Sequence, residues 1–335
     1  MGRLVLRRLV FVLFVVWGVT LITFFLSRVV PGDPARLIAG PRASAAALAH
    51  IRATYGLDEP LAQQYVRYMS DLLHGNLGIS FMTRRPVTQD LRTYFPATIE
   101  LTVLALILGV VPAILAAMLA ARRRASGVDQ TVELTAVAGV SIPAFWLALL
   151  LQYLVGVKLG WLPITGRLAA GATPPPRLTG MYTVDGLLTG HLSTSVSAFE
   201  HMVLPAIALA AGVYGLMTRI VRASLLEVTG EDYVRTAEAK GLSRSRVMLR
   251  HILRNAMLPA VTILGLEFGV LAGGVFVVEY IFAFPGIGQY AFNAFAASDY
   301  NAIMGVTLLV AIMYTLTNLV VDLIYLYLDP RIRYA

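Results

Sequence analysis

Long runs without charged residues alternate with short basic or mixed polar stretches along the whole 335-residue chain. Leu9–Ser27 is 19 residues without a charge, Leu101–Ala121 is 21, Leu134–Val157 is 24, Met202–Thr218 is 17 and Tyr300–Val321 is 22. Ala256–Val278 resembles them apart from Glu267 at its midpoint. A bilayer core about 30 Å thick takes about 20 apolar residues in helical form. The pattern therefore predicts six transmembrane helices in an all-α membrane protein. Pro112, Pro143 and Pro205 fall inside the runs. Neighbouring helices can satisfy the backbone groups that a proline frees, so kinks are expected there and no chemistry. The first run follows Arg3, Arg7 and Arg8 and precedes a loose Ala43-Ser44-Ala45 cleavage match. It exceeds the about 7–15 apolar residues of a signal-peptide core and is read as a retained helix.

Composition removes the soluble alternatives. Apolar residues make up 58%, charged residues 14%, and mean hydropathy is +0.73, against about 45–50% and about 25% in soluble chains. Without cysteine there is no disulfide framework, thiolate nucleophile or thiolate metal site. The net charge of +8 would suit a nucleic-acid partner in a soluble protein, but its distribution has a simpler meaning. With the N-terminus inside, the inner segments are the N-terminus, Arg122–Glu133, Arg219–Asn255 and the C-terminal tail. They hold 16 of the 27 basic residues against 8 acidic ones, whereas the outer segments hold 11 and 10. Basic loops stay in the cytoplasm, so both termini are expected there, and no nucleic acid is needed.

The division that follows is an N-terminal helix over 1–28, an extracytoplasmic segment over 29–96, and a five-helix core over 97–335 with an inner loop at 219–255. The segment 29–96 carries Pro31-Gly32-Asp33 and helical stretches at Ser44–Tyr55 and Leu61–Leu73. It is either a small folded cap or a connector. A second outer segment, Lys158–His201, opens with Trp161-Leu162-Pro163, a plausible interface anchor. No internal repeat is present.

The inner loop carries the clearest local signals. Thr229 is expected to cap a short helix over Gly230–Lys240, with Glu231 and Asp232 in its first turn favouring the dipole. Lys240 falls in the last turn, and Gly241 stands where a left-handed residue closes a helix. Leu242-Ser243 then begins a second helix running basic through Arg244, Arg246, Arg250 and Arg254. Ala237 and Ala239 leave part of the short helix open to close approach. Such a helix either docks a cytoplasmic partner or lies on anionic lipid.

These residues also carry a resemblance. Asp232-Tyr233-Val234-Arg235-Thr236-Ala237, Ala239-Lys240-Gly241-Leu242, Arg254-Asn255-Ala256 and Leu258-Pro259 resemble the cytoplasmic signature of permease subunits of ATP-binding-cassette importers. The variant is that of the dipeptide, oligopeptide and nickel subfamily. Arg7-Arg8 with Pro31-Gly32-Asp33-Pro34 looks like its N-terminal signature. Gly56-Leu57-Asp58, Pro60-Leu61, Gln64-Tyr65 and Gly75-Asn76-Leu77-Gly78 look like its first outer segment. Pro96-Ala97-Thr98 with Glu100-Leu101, Trp161-Leu162-Pro163 with Gly166-Arg167, Glu279 with Pro285-Gly286-Ile287-Gly288, and Leu328-Asp329-Pro330-Arg331-Ile332-Arg333 complete the order. Glu238 departs from the pattern, standing where the subfamily usually has a basic residue. Leu253-Arg254 replaces a Leu-Pro pair of the broader family, with Pro259 arriving later, as in the peptide branch.

The resemblance implies a type I importer-like permease fold and a mechanical role. The short helix would sit in a groove of an ATPase subunit, docking through Asp232, Tyr233, Arg235, Ala237, Ala239, Gly241 and Leu242. Two such ATPases, using ATP and Mg, would drive the membrane helices between inward- and outward-facing states. An extracytoplasmic binding protein would deliver the substrate, a peptide or, as alternatives, nickel, haem or glutathione. A second, related permease is the expected partner in a heterodimer, with a homodimer as the alternative. The 25 arginines against two lysines, with abundant alanine, suggest a GC-rich bacterial genome and hence a plasma membrane.

No motor is visible in the chain itself. A P-loop needs Gly-Lys followed by Ser or Thr, whereas Lys158 precedes Leu159 and Lys240 precedes Gly241. The five histidines, His50, His74, His191, His201 and His251, are scattered. The chain is read as non-catalytic and as binding no cofactor. A charged group at mid-bilayer must face protein or water, so Glu267 either lines the translocation path or is a paired group holding helices together. Glu279 with Phe284-Pro285-Gly286 is placed at the outer mouth, as a gate on the path or a plain turn. Asp322 is expected to pair with Arg331, Arg333 or a neighbouring helix. A self-contained secondary transporter would want inverted repeats and matched broken helices. An intramembrane enzyme would want clustered acids or histidines. Neither pattern is found.

Overall fold

The computed structural model describes residues 2–29, 35–36, 43–273 and 276–328. The motifs at 31–34 and 329–333, with the proposed partners Arg331 and Arg333, lie outside the described residues. The N-terminal helix α1 is Gly2–Val29. Two short helices follow, α2 (Ala45–Tyr55) and α3 (Leu61–Leu73). Their limits come from local chemistry. The Ser44 hydroxyl accepts the Ala47 N–H at the start of α2, and Gly56 closes it in the left-handed region. Phe24 of α1 stacks on Tyr68 of α3 at 5.7 Å, and the Thr20 and Tyr65 hydroxyls are 3.0 Å apart.

The large helices come next: α4 (Val87–Arg122), α5 (Gly127–Ser141), α6 (Ala144–Lys158), α7 (Tyr182–Leu188) and α8 (Leu192–Thr229). They are followed by α9 (Asp232–Ala239), α10 (Arg244–Ala272), α11 (Phe276–Ile281), α12 (Ile287–Ala296) and α13 (Tyr300–Leu328). Among the described residues only an isolated bridge, Ile79 to Pro86, is strand-like.

Among the described residues four helices, α4, α8, α10 and α13, are long and apolar enough to cross a membrane. The third expected run is not one rod: α5 and α6 meet at a 98° bend. Pro143 explains the break, because a proline disfavours the helical region for the residue before it, and Ile142 is extended at φ −81° and ψ 120°. In contrast, Pro112 and Pro205 stay inside α4 and α8. Helix α1 carries a further apolar stretch, Val10–Phe25.

Three boundaries differ from expectation. Helix α4 starts at Val87 rather than Leu101 and runs unbroken through residue 96. Helix α8 continues past Thr218 to Thr229 because Val221 and Leu225 are wholly buried and keep its inner face in the core. Thr229 therefore ends α8, its hydroxyl donating to the Leu225 carbonyl at 2.6 Å. The expected cap is absent, and Glu231 holds the N-cap position of α9.

The core forms around α8, which packs along α4 and also touches α5, α6, α7 and α10. Close approach depends on small side chains, as is usual between membrane helices. Ala97, Ala105, Ala113, Ala117 and Ala120 of α4 are all fully buried. A second cluster of Val87, Leu91, Ile287, Tyr290 and Val306 joins α4 to α12 and α13. Leu115, Leu134 and Trp146 are exposed, as suits surfaces solvated by lipid. The helices leave a basic end at Arg122, Arg222 and α9, and an opposite end at Val87, Gly180 and Gly286.

Candidate functional site

At the basic end, α9 sits directly beneath the core on Val234 and Ala237, 1% and 6% exposed. Its other face carries Asp232, Tyr233, Arg235 and Ala239, all exposed. Asp232 and Arg235 pair one turn apart at 3.5 Å, an exposed contact worth little by itself. The expected turn at Gly241 is present, with φ at +74°. The Gly241 N–H reaches the Glu238 carbonyl and the Leu242 N–H reaches the Ala237 carbonyl. This double closure needs a left-handed residue at that position. Of the residues named for docking, Ala237 faces the chain's own core and half-buried Leu242 packs against it. The others form the free surface. Tyr233 has a partner not legible from spacing: its hydroxyl accepts the Asn255 side-chain amide at 2.8 Å. That bond ties α9 to the start of the membrane part of α10.

At the opposite end, Glu279 is 1% exposed and fully engaged. It accepts the Thr98 hydroxyl at 2.8 Å and the Gln289 N–H at 2.9 Å, while Thr98 in turn accepts the Ile287 N–H at 2.7 Å. A carboxylate beside the first turn of α12 also opposes the positive end of that helix dipole. The Pro285-Gly286 turn wraps this group so tightly that a Cβ on Gly286 would fall on the carboxyl. Gln152 donates to the Ile164 and Ile281 carbonyls, and the Gly166 N–H to that of Phe282. The Trp161–Gly166 segment is thereby fastened to the same corner.

Three more carboxylates organise this end; the sequence marked Glu100 only as part of a motif and did not mark Asp90 or Asp185. Glu100 pairs with Arg167 at 2.7 Å, both buried, and accepts the backbone N–H and hydroxyl of Thr183. Arg167 also donates to the Gly180 carbonyl and lies 3.6 Å over the Tyr182 ring. Asp185 accepts the N–H groups of Leu178, Thr179 and Gly180 and the Thr179 hydroxyl. Burial alone would raise its carboxyl, but these donors outweigh burial and hold it below the usual range. Asp90 pairs with Arg85 at 2.8 Å and accepts the Thr83 and Tyr290 hydroxyls. Burial first, and the Asp90 charge second, push the Tyr290 phenol upward.

Glu267 stands apart. It is half-buried on α10, with no hydrogen bond or ion pair to another described residue. Its neighbours Leu264, Gly265 and Phe268 line an apolar groove of about 600 Å³ shared with α4 and α13, and Glu267 is not in that lining. At the basic end, Asp129 of α5 takes both Arg222 nitrogens at 2.7 and 2.8 Å, a bidentate clamp onto α8. Among the described residues no three His, Asp or Glu side chains converge as metal ligands.

Two known families cover this architecture in sequence order. Residues 1–102 match the N-terminal part of the binding-protein-dependent transport system membrane component, and residues 113–334 match the binding-protein-dependent transport system inner membrane component. Among curated proteins, the chain is 45% identical to the probable D,D-dipeptide transport system permease protein DdpB of Escherichia coli K12, across 95% of this chain and 94% of that one. It is 40% identical to the dipeptide transport system permease protein DppB of Alkalihalophilus pseudofirmus, across 98% of both. It is 38% identical to the glutathione transport system permease protein GsiC of Escherichia coli, again across 98% of both. With both family regions matched in order and such relatives aligned end to end, the chain belongs to the inner-membrane permease components of binding-protein-dependent transport systems.

Proposed function

We propose that this chain is one of two non-identical membrane subunits of an ATP-driven importer of short peptides. The observation that supports the reading best is α9. It is a short helix seated on the core by Val234 and Ala237, closed by left-handed Gly241, with Asp232, Tyr233, Arg235 and Ala239 turned outward at the basic end. That surface is offered to one of two ATPase subunits, which bind ATP and Mg and carry out the hydrolysis, while this chain contributes no catalytic group. In this reading α1, α4, the bent α5–α6 pair, α8, α10 and α13 make six spans with both termini in the cytoplasm. Residues 29–96 then cap the periplasmic end beneath a substrate-binding protein, and 97–335 form the permease core, joined to the cap through α4.

A peptide carries an ammonium at one end and a carboxylate at the other, and Glu267, without a partner among the described residues, is the group on α10 suited to the ammonium. The relatives named for dipeptides, D,D-dipeptides and glutathione all act on short peptide-like substrates by name, which favours this class over nickel or haem. The test is purification of the tagged chain from its host in mild detergent, beside an Arg235→Glu, Gly241→Pro variant. Recovery of P-loop ATPases and a second permease with the wild type, and loss of the ATPases alone from the variant, is the expected result. Recovery of the chain by itself, with transport intact after reconstitution, overturns the reading in favour of a self-contained transporter.

A further inference from the structure

Where α5 crosses the basic end of α8, the two helices leave a half-open cavity of about 400 Å³. Its lining is mixed, with Ala136, Leu216, Ile220 and Ala223 beside four polar residues, whereas the groove beside α10 is almost wholly apolar. Glu133 comes from α5, and Thr218, Arg219 and Arg222 come from α8. Arg222 is already held by both oxygens of Asp129. Arg219 and Glu133 are exposed and form no ion pair with another described residue. Thr218 is 1% exposed, and its hydroxyl has no hydrogen-bond partner. The cavity thus offers one cation without an ion pair among the described residues, Arg219, one anion, Glu133, whose charge is felt by Arg222 but which forms no direct ion pair among them, and one unanswered hydroxyl. Beside it, Leu134, Val137 and Val140 form an exposed apolar stripe along α5, running from this end toward the middle of the span.

We propose that this cavity is the headgroup site of a phospholipid carrying phosphate and a primary ammonium, a phosphoethanolamine lipid. Arg219 and the Thr218 hydroxyl take the phosphate, Glu133 takes the ammonium, and an acyl chain lies on the Leu134–Val140 stripe. A guanidinium suits phosphate by charge and by its planar set of donors. A phosphoglycerol headgroup would leave Glu133 beside a net negative charge. A phosphocholine has no N–H to give it. The stripe favours a lipid over free phosphate, since a soluble anion has no use for it. The assignment rests on the orientation proposed above, which puts this end in the inner leaflet. Because α8 leads straight into α9, the lipid would sit beside the helix that reports to the motor.

The experiment is native mass spectrometry of the purified importer complex in mild detergent, with dioleoyl-phosphatidylethanolamine, -phosphatidylglycerol or -phosphatidylcholine added separately. The expected result is one phosphatidylethanolamine retained on this subunit, at least about tenfold more tightly than the other two lipids, as charge-assisted bonds of this kind supply. Arg219→Ala should lose that adduct. Glu133→Gln, a conservative change at an exposed position, should abolish the preference over phosphatidylcholine while leaving the complex assembled. Equal retention of all three lipids, an undiminished adduct on Arg219→Ala, or binding of free O-phosphoethanolamine as tight as that of the lipid would each overturn the proposal. Orientation is settled separately by labelling a Gly230→Cys variant with an impermeant maleimide in whole cells. Labelling there would refute the orientation while leaving the detergent binding result to stand.

Discussion

Arg167 is the side chain whose loss should hurt the end opposite α9 most. It pairs with buried Glu100, donates to the Gly180 carbonyl and covers Tyr182. Removing one partner of a buried pair strands the other charge, at about 3–5 kcal/mol. Arg167→Ala should therefore lower the unfolding temperature in detergent sharply. Arg167→Lys should recover little, because an ammonium has no planar face to lay on the Tyr182 ring. The Glu279–Thr98 pair makes a second case. Thr98→Val or Glu279→Ala leaves buried donors of the Ile287–Gln289 turn unanswered, each worth about 1–3 kcal/mol. A double-mutant cycle between them should show coupling, since neighbours in one network are not additive. Asp185 gives a pH dependence. Its carboxyl sits lower in the fold than in the unfolded chain, so its contribution is complete above the ordinary aspartate value of about 3.9 and fades as pH falls through the folded value. Wild type should lose stability relative to Asp185→Asn only in strong acid, as read by thermal unfolding from pH 7 to pH 3. Glu279, Arg167 and Thr98 were visible in the chain as motif residues. Their pairings were not, because 67 residues separate Glu100 from Arg167 and 181 separate Thr98 from Glu279.

Among the elements, α9 is where stability and function separate. Gly241→Ala forces a β-carbon into the left-handed region, a penalty of about 1–2 kcal/mol. The whole fold should survive this, while the turn that fixes the exposed face of α9 should not. The expected outcome is normal insertion with reduced recovery of ATPase subunits. Asn255→Ala should act in the same direction through Tyr233 with a smaller effect. Local chemistry made parts of this legible. Gly241 marks a helix end by its own conformational preference, and the structure uses it so, as it uses Ser44, Gly56 and Pro60, which were not read as helix caps from the sequence. The start of α9 was not legible, because Thr229 satisfies its hydroxyl within α8 instead of capping forward. Nor was the right-angled bend between α5 and α6, since a proline in an apolar run is compatible with a kink or a break. Pro112 and Pro205 lie within continuous helices, and Pro143 stands at the break.

For the molecule as a whole, the proposed orientation makes a direct prediction, and the lack of native cysteine makes it clean to test. Ser126→Cys and Ser243→Cys should react with an impermeant maleimide only after the membrane is opened, and Thr173→Cys should react in intact cells. The chain by itself determined the membrane class, the positions of the apolar runs, the basic end and the family signature. Transfer into lipid and charge balance add up over a local window, so they can be read without knowing the fold. Tertiary structure alone decided that α4 continues to Val87 and that α8 runs on to Thr229. It also decided that Glu279 is a satisfied brace and that Asp129 clamps Arg222 across 93 residues. Each of these depends on a donor or an apolar face that packing brings from a distant part of the chain, and that information exists only in the arrangement of the helices.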